Sequence, residues 1–173
     1  MEEKLKKLDT KKLIDVVKNY RQYGYDESLR TCAISVLEDR GITKEQLEFS
    51  GNLVNKTYDY ATELYNTFRR NSTIALVLYG IVILSIIFAP IFSVNSDALG
   101  FFANIIGLCS LVTYFIFLLK SYLNQSRFYR EIGQDDGTSG IVLYVMFTLG
   151  AIVYLFMYFY FRNQMKEKMK EIR

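Results

Sequence analysis

The chain contains no histidine, one proline and two cysteines, and its three longest apolar runs contain no charged side chain. Without histidine there is no Ser-His or Cys-His nucleophile pair and no imidazole metal site. Cys32 lies in a polar region and Cys109 inside an apolar run, so pairing is not expected and both serve as small apolar residues. No Gly-rich phosphate loop, zinc-protease helix or paired-cysteine zinc motif occurs. Asp135-Asp136 is the single adjacent acidic pair near the apolar runs, and in its Gly-flanked stretch it reads as a solvated turn, not a metal site. No cofactor, no metal and no enzymatic activity are therefore expected.

What is present is apolar and segregated. Hydrophobic residues make up 51% of the 173 and charged ones 23%, with most of the charge in residues 1–71. The runs 72–94, 98–119 and 140–161 are each about as long as a helix needs to cross a bilayer core of ~30 Å. The expected fold is all-α: a polytopic helical membrane protein with three transmembrane helices, preceded by a small amphipathic helical region. Its parts are a cytosolic region 1–71, a transmembrane region 72–161 and a charged tail 162–173. The N-terminal stretch MEEKLKKLDTKKL lacks the apolar segment of a signal peptide, so the first span is expected to act as its own insertion signal.

The polar region shows helical punctuation. Asp9 or Thr10 can cap a helix with the stripe Leu13, Ile14, Val16, Val17 and Tyr20, which Gly24 can stop. Asp26 can cap a second, with Leu29, Cys32, Ala33, Val36 and Leu37 inward and Gly41 as its C-terminal glycine. Thr43 with Gln46 fits a capping box. A longer helix is expected from near Leu53, with Val54, Tyr58, Ala61, Tyr65 and Phe68 at steps of four and three. No proline separates it from the first span, so the two can form one rod, and Pro90 falls near that span's end. Asn95-Ser96-Asp97 then returns the chain at once, and 120–139 is polar, with a turn at 133–137.

Arg69 and Arg70 set the orientation. With Lys120, Arg127 and Arg130 they put residues 1–71 and 120–139 in the cytoplasm by the positive-inside rule, as in a bacterial inner-membrane protein. Three spans would place the C-terminus outside, yet the tail carries Arg162, Lys166, Lys168, Lys170 and Arg173 against Glu167 and Glu171. The tail can be dragged across, the third run can lie partly in the interface, or one run can be re-entrant. Three true spans and an outward C-terminus are preferred.

No ionisable residue lies within the spans, which argues against coupled transport. Small and polar residues remain. Gly100, Ala103, Gly107 and Ser110 share one side of the second span, with Asn104 near its middle and Thr113 beyond. They either pack within one chain or join copies of it, with Asn104, Ser110 and Thr113 lining a polar seam or pore. The tyrosines, several near span ends, suit the membrane interface. Net charge of +3, with bases interleaved among acids, speaks against nucleic-acid binding. The partners expected are the lipid bilayer, further copies of the chain and a cytosolic protein.

The segment 25–41, YDESLRTCAISVLEDRG, resembles a short helical module at the N-termini of small bacterial membrane proteins. The likeness lies in Asp26 after Tyr25, the Leu29, Cys32 and Ala33 stripe and the terminal Arg40-Gly41, about a tenth of the chain. The layout is also similar to membrane accessory proteins found beside RNA-guided (CRISPR) defence systems. That resemblance implies an antiviral setting but carries over no active residue, and the missing histidine counts against a ribonuclease of the kind that uses an Arg/His motif. Two functions are expected: a non-enzymatic adaptor or regulator that engages a partner through residues 9–70, or an oligomeric pore.

Overall fold

The computed structural model describes residues 2–133 and 153–172, which are all-helical, with no strand among them. The helices are α1 (Glu2–Lys6), α2 (Thr10–Asn19), α3 (Glu27–Asp39), α4 (Lys44–Phe49), α5 (Lys56–Asn95), α6 (Asp97–Glu131) and α7 (Val153–Glu171). They divide into two compact units, Met1–Tyr60 with Lys170–Arg173, and Ala61–Met169. The division falls inside α5.

In the first unit the helix ends follow the sequence signals. Asp9 accepts from the Lys12 amide at 2.7 Å and Asp26 from the Leu29 amide at 3.0 Å. Thr43 and Gln46 form a reciprocal capping box. Gly41 ends α3 at φ 84°, a left-handed conformation that costs glycine no Cβ clash. These caps let short helices present one apolar face each, and Leu13, Val17, Ala33, Leu37 and Leu47 are almost fully buried together. Cys32, expected on that face, is exposed. Its place beside the stripe at 29, 33, 36 and 37 turns it outward.

The long helix begins at Lys56, later than expected. Asn55 is the residue that stops it extending backward: its side-chain oxygen accepts from the Tyr58 amide at 3.0 Å, the geometry of an N-cap. From there α5 runs unbroken for 40 residues through Pro90. At ~1.5 Å per residue that is roughly 60 Å. Only Ser96 separates it from α6, which passes the expected end of the second span and continues to Glu131. Gly133 follows at φ 70°, and the expected turn at 134–137 lies outside the described residues.

The second unit is organised by sevens. Helix α5 buries Ala61, Phe68, Ala75 and Ala89, and α6 buries Gly100, Tyr114, Ser121 and Phe128. A seven-residue apolar repeat keeps one seam facing a partner helix. The register is antiparallel: an added Cβ on Gly100 would strike Ser93, one on Gly107 would lie 2.8 Å from the Ser85 Cβ, and Tyr114 meets Tyr79 at 5.7 Å between rings. Small residues thus let the helices approach near their connection, and aromatic residues fill the seam farther away. Helix α7 adds Tyr154, Tyr158, Phe161 and Met165 at steps of four and three.

Two helices, α5 and α6, are long and apolar enough to cross a membrane by length and composition. Of the third expected run, 140–152 lies outside the described residues and 153–161 belongs to α7. That described end does not lead away from Arg69-Arg70. Tyr154 and Tyr158 lie against Ser72 and Thr73, and Arg162 comes next to Tyr65. Contacts with successively earlier residues of α5 carry α7 toward the basic end of that helix.

Candidate functional site

The small-residue face of α6 is occupied within the chain. Gly100 and Gly107 stand against Ser93 and Ser85 of α5, and Ser110 is buried in the same stripe. Asn104 is exposed and donates its amide to the Gly100 carbonyl at 3.0 Å. Thr113 donates to the Cys109 carbonyl at 2.8 Å. Both polar side chains thus satisfy themselves on their own helix, one turn back, as isolated amides and hydroxyls do in apolar surroundings. The structure sets Gly100 and Gly107 against α5 and buries Ser110 beyond them, while Asn104 and Thr113 bond their own helix. Arg69 and Arg70 are exposed on α5, three residues and fewer before Ser72.

A second cluster lies where α5, α6 and α7 meet. The rings of Tyr79, Tyr114 and Tyr154 are mutually 5.3–5.7 Å apart, and the Tyr154 hydroxyl donates to the Ser72 carbonyl at 3.4 Å. Offset and edge-on rings at such distances add about 0.5–1.5 kcal/mol per pair beyond their burial. One turn farther a relay follows. Arg162 donates to the Tyr158 hydroxyl at 3.0 Å, and Tyr158 shares a 3.0 Å hydrogen bond with Thr73. Thr73 spends its single proton on the Arg69 carbonyl at 2.8 Å, so Tyr158 is the donor to Thr73. The Tyr65 hydroxyl, ahead of that of Tyr158, raises the Arg162 pKa above its ordinary value. In sequence Tyr65, Tyr79, Tyr154 and Tyr158 are among the tyrosines that suit a membrane interface, and Tyr114 is not. The signal that reading passed over was the seven-residue step Tyr65, Ser72, Tyr79, matched by Gly107, Tyr114, Ser121.

The first unit holds the start of α5 by polar contacts. Buried Asn55 donates to buried Asn19 at 2.6 Å, Asn19 donates to Asp15 at 2.7 Å, and the Tyr23 hydroxyl donates to Asp15 at 2.7 Å. Arg21 pairs with Asp59 at 3.0 Å. Gln22 donates to the Lys170 carbonyl at 3.0 Å, so the end of α2 meets both the first turn of α5 and the last turn of α7. Nearby, Arg30 lies over the Tyr20 ring at 4.8 Å, pairs with Glu27 at 2.5 Å and donates to the Leu53 carbonyl at 2.9 Å. The Tyr20 hydroxyl, then Arg30, hold the Glu27 carboxyl below its usual range. No periodicity announces Asn19 or Asn55, because a buried amide pair follows no repeat.

An open cleft of about 350 Å³ lies at the α4–α5 connection, between Lys18, Glu48, Leu53, Asn55 and Lys56. Among the described residues no group of three His, Cys, Asp or Glu side chains is placed to hold a metal ion. Asp135-Asp136 lies outside them. Among the described residues the site is thus a set of helix contacts. No protein-family model, curated protein or solved structure matches the chain.

Proposed function

We propose that the protein is a multi-pass membrane protein in which α5 and α6 cross the bilayer and the N-terminal helices form a regulatory head. The observation that carries this is the exposure of the apolar helices. Between residues 77 and 119, nineteen large apolar side chains are more than a third exposed, and only 17% of each apolar window is buried. A soluble protein's core helix would be mostly buried. At about 1.5–3 kcal/mol per fully buried side chain, covering those nineteen is worth on the order of 20 kcal/mol or more. That exceeds the ~5–15 kcal/mol net stability of an ordinary domain, so such a surface left in water would be a strong aggregation liability.

Within this arrangement α7 and the head belong on one side. The contacts of α7 with Ser72, Thr73 and Tyr65 support a basic tail at the Arg69-Arg70 end, and an even number of crossings would satisfy the positive-inside rule that three spans violate. Reporters fused before Glu2 and after Ile172 are expected to be active in the same compartment; activity on opposite sides would restore three spans.

The head acts as an adaptor or regulator, with α5 as the element through which a bound partner is felt in the bilayer. The contacts of Asn55 and Asp59 with α2 support it, since they tie the head to the first turn of a helix that continues unbroken into the apolar region. The pore alternative has weaker support, because Gly100 and Gly107 face α5 and Asn104 bonds its own helix. Purified protein in liposomes is expected to give no sustained ion flux. Sustained conductance at low protein density would reverse that choice.

A further inference from the structure

The tyrosine cluster fixes which residues of α5, α6 and α7 share a level. Counting from Tyr79, Tyr114 and Tyr154 toward the charged ends, Arg70 is nine residues away, Lys120 six and Arg162 eight. At ~1.5 Å per residue these cations lie roughly 9–14 Å from the tyrosine plane, and Arg69, Lys166 and Arg127 roughly 15–20 Å. The stretches 64–79, 114–130 and 154–166 contain no aspartate or glutamate. Arg69, Arg70, Lys120, Arg127 and Lys166 are exposed, and Arg162 is half-buried. In sequence the bases near the tail alternate with acids, as in Lys166-Glu167-Lys168. Folding brings these cations from three separate segments to neighbouring levels; Glu63 and Glu131 fall beyond them, and Glu167, as many residues from Tyr154 as Arg127 is from Tyr114, lies at the outer edge.

We propose that these six side chains form a cationic collar that binds the phosphate headgroups of anionic lipids in the leaflet on the Arg69-Arg70 side. The proposal rests on the membrane reading above. Immediately toward the apolar ends the surface carries exposed Leu119, Phe159 and Tyr160, and Leu123 is exposed between Lys120 and Arg127. A lipid supplies acyl chain to such residues and phosphate to the cations next to them, whereas a nucleic acid supplies only the phosphate. Long basic side chains reach several ångströms along the helices, so the spread of levels matches a headgroup layer plus the reach of arginine and lysine. Anionic leaflets attract such segments, by roughly a fivefold change in binding for each basic side chain near the surface.

The test uses the full chain in nanodiscs of phosphatidylcholine, with and without phosphatidylglycerol, beside a variant carrying Arg69→Gln, Arg70→Gln, Lys120→Gln and Lys166→Gln. Lipid retained on the purified protein is measured by mass spectrometry. Wild type is expected to enrich phosphatidylglycerol, less so as salt rises from ~0.1 to ~1 M, and the variant to lose at least about tenfold of that preference. Equal retention of both lipids by the wild type, or an undiminished preference in the variant, overturns the collar while leaving the membrane reading intact. So does displacement of phosphatidylglycerol by inorganic phosphate or by a short RNA or DNA duplex. Loss of the protein from carbonate-washed vesicles is the distinct result that would remove the membrane reading itself. If the variant does not fold, the salt dependence of the wild type decides: a preference insensitive to salt contradicts the collar.

Discussion

The first unit and the apolar ends of α5 and α6 are built with opposite polarity. In the first unit Leu13, Val17, Leu37 and Leu47 are buried while lysines, glutamates and Cys32 face out. Along 80–119 the large side chains Ile86, Ile106 and Phe101 face out, and alanine, glycine and serine sit between the helices. On the membrane reading proposed above, one chain meets two solvents. A region folded for water hides its apolar volume and spends its polar groups on caps. A region folded for hydrocarbon has no such incentive, so its interior is chosen for close approach instead.

The sharpest way to break the comparison is to shorten one apolar residue in each region. Leu37→Ala leaves a cavity in the small core and is expected to cost about 2–5 kcal/mol. Ile86→Ala removes a comparable volume from an exposed position and should change stability by less than about 0.5 kcal/mol. Thermal unfolding of both variants in nanodiscs checks this, and equal losses would mean that residue 86 faces a protein interior.

Next in size is enlargement. Gly107→Leu must push α6 away from Ser85 and is expected to cost about 1–3 kcal/mol, while Ile106→Ala beside it costs little. Guanidinium-free thermal melts in the same nanodiscs rank the two; a harmless Gly107→Leu would show that the helices do not need their close approach.

Asn55→Ala tests how the water-facing unit holds the long helix. It removes the cap on the Tyr58 amide and leaves Asn19 without a buried donor, at about 1–3 kcal/mol. Hydrogen exchange should rise in the first turn of α5 and at the end of α2, and not between 80 and 119. Exchange rising uniformly would deny the local anchor.

The smallest effect is ionic. Glu27 has a folded pKa below its ordinary value of 4.5, so its contribution is present above that pH and is lost as pH falls through the lower folded value. The side chain is mostly exposed, so the shift is screened. Comparing Glu27→Gln with wild type between pH 6 and 3 is expected to show the curves converging at the acid end; parallel curves would contradict the assignment.

Much of this was legible in the sequence, for reasons that differ by element. Asp9, Asp26, Thr43, Gly24 and Gly41 act within four residues of their partners, so local chemistry announced the short helices. The apolar lengths of α5 and α6 were visible as uncharged runs. The start of α5 was placed early because Leu53 and Val54 look periodic, whereas the cap at Asn55 is what decides. The small stripe on α6 was read, but its occupant was open, since glycine spacing is the same whether the partner is α5 or a second copy. Counting spans sends the tail outside, whereas the membrane reading proposed above keeps it on the Arg69-Arg70 side. That side depends on Tyr154, Tyr158 and Arg162 meeting Ser72, Thr73 and Tyr65, a long-range packing that no local pattern contains.

The two native cysteines give the most direct test of the two-solvent arrangement. Cys32 and Cys109 are both exposed, one in each region. Thiol reactivity with a polar maleimide requires thiolate and water. In nanodiscs, where both faces are open to reagent, Cys32 is expected to label readily and Cys109 only after denaturation in detergent. Labelling of Cys109 at the rate of Cys32 in the intact nanodisc would contradict a bilayer around α6.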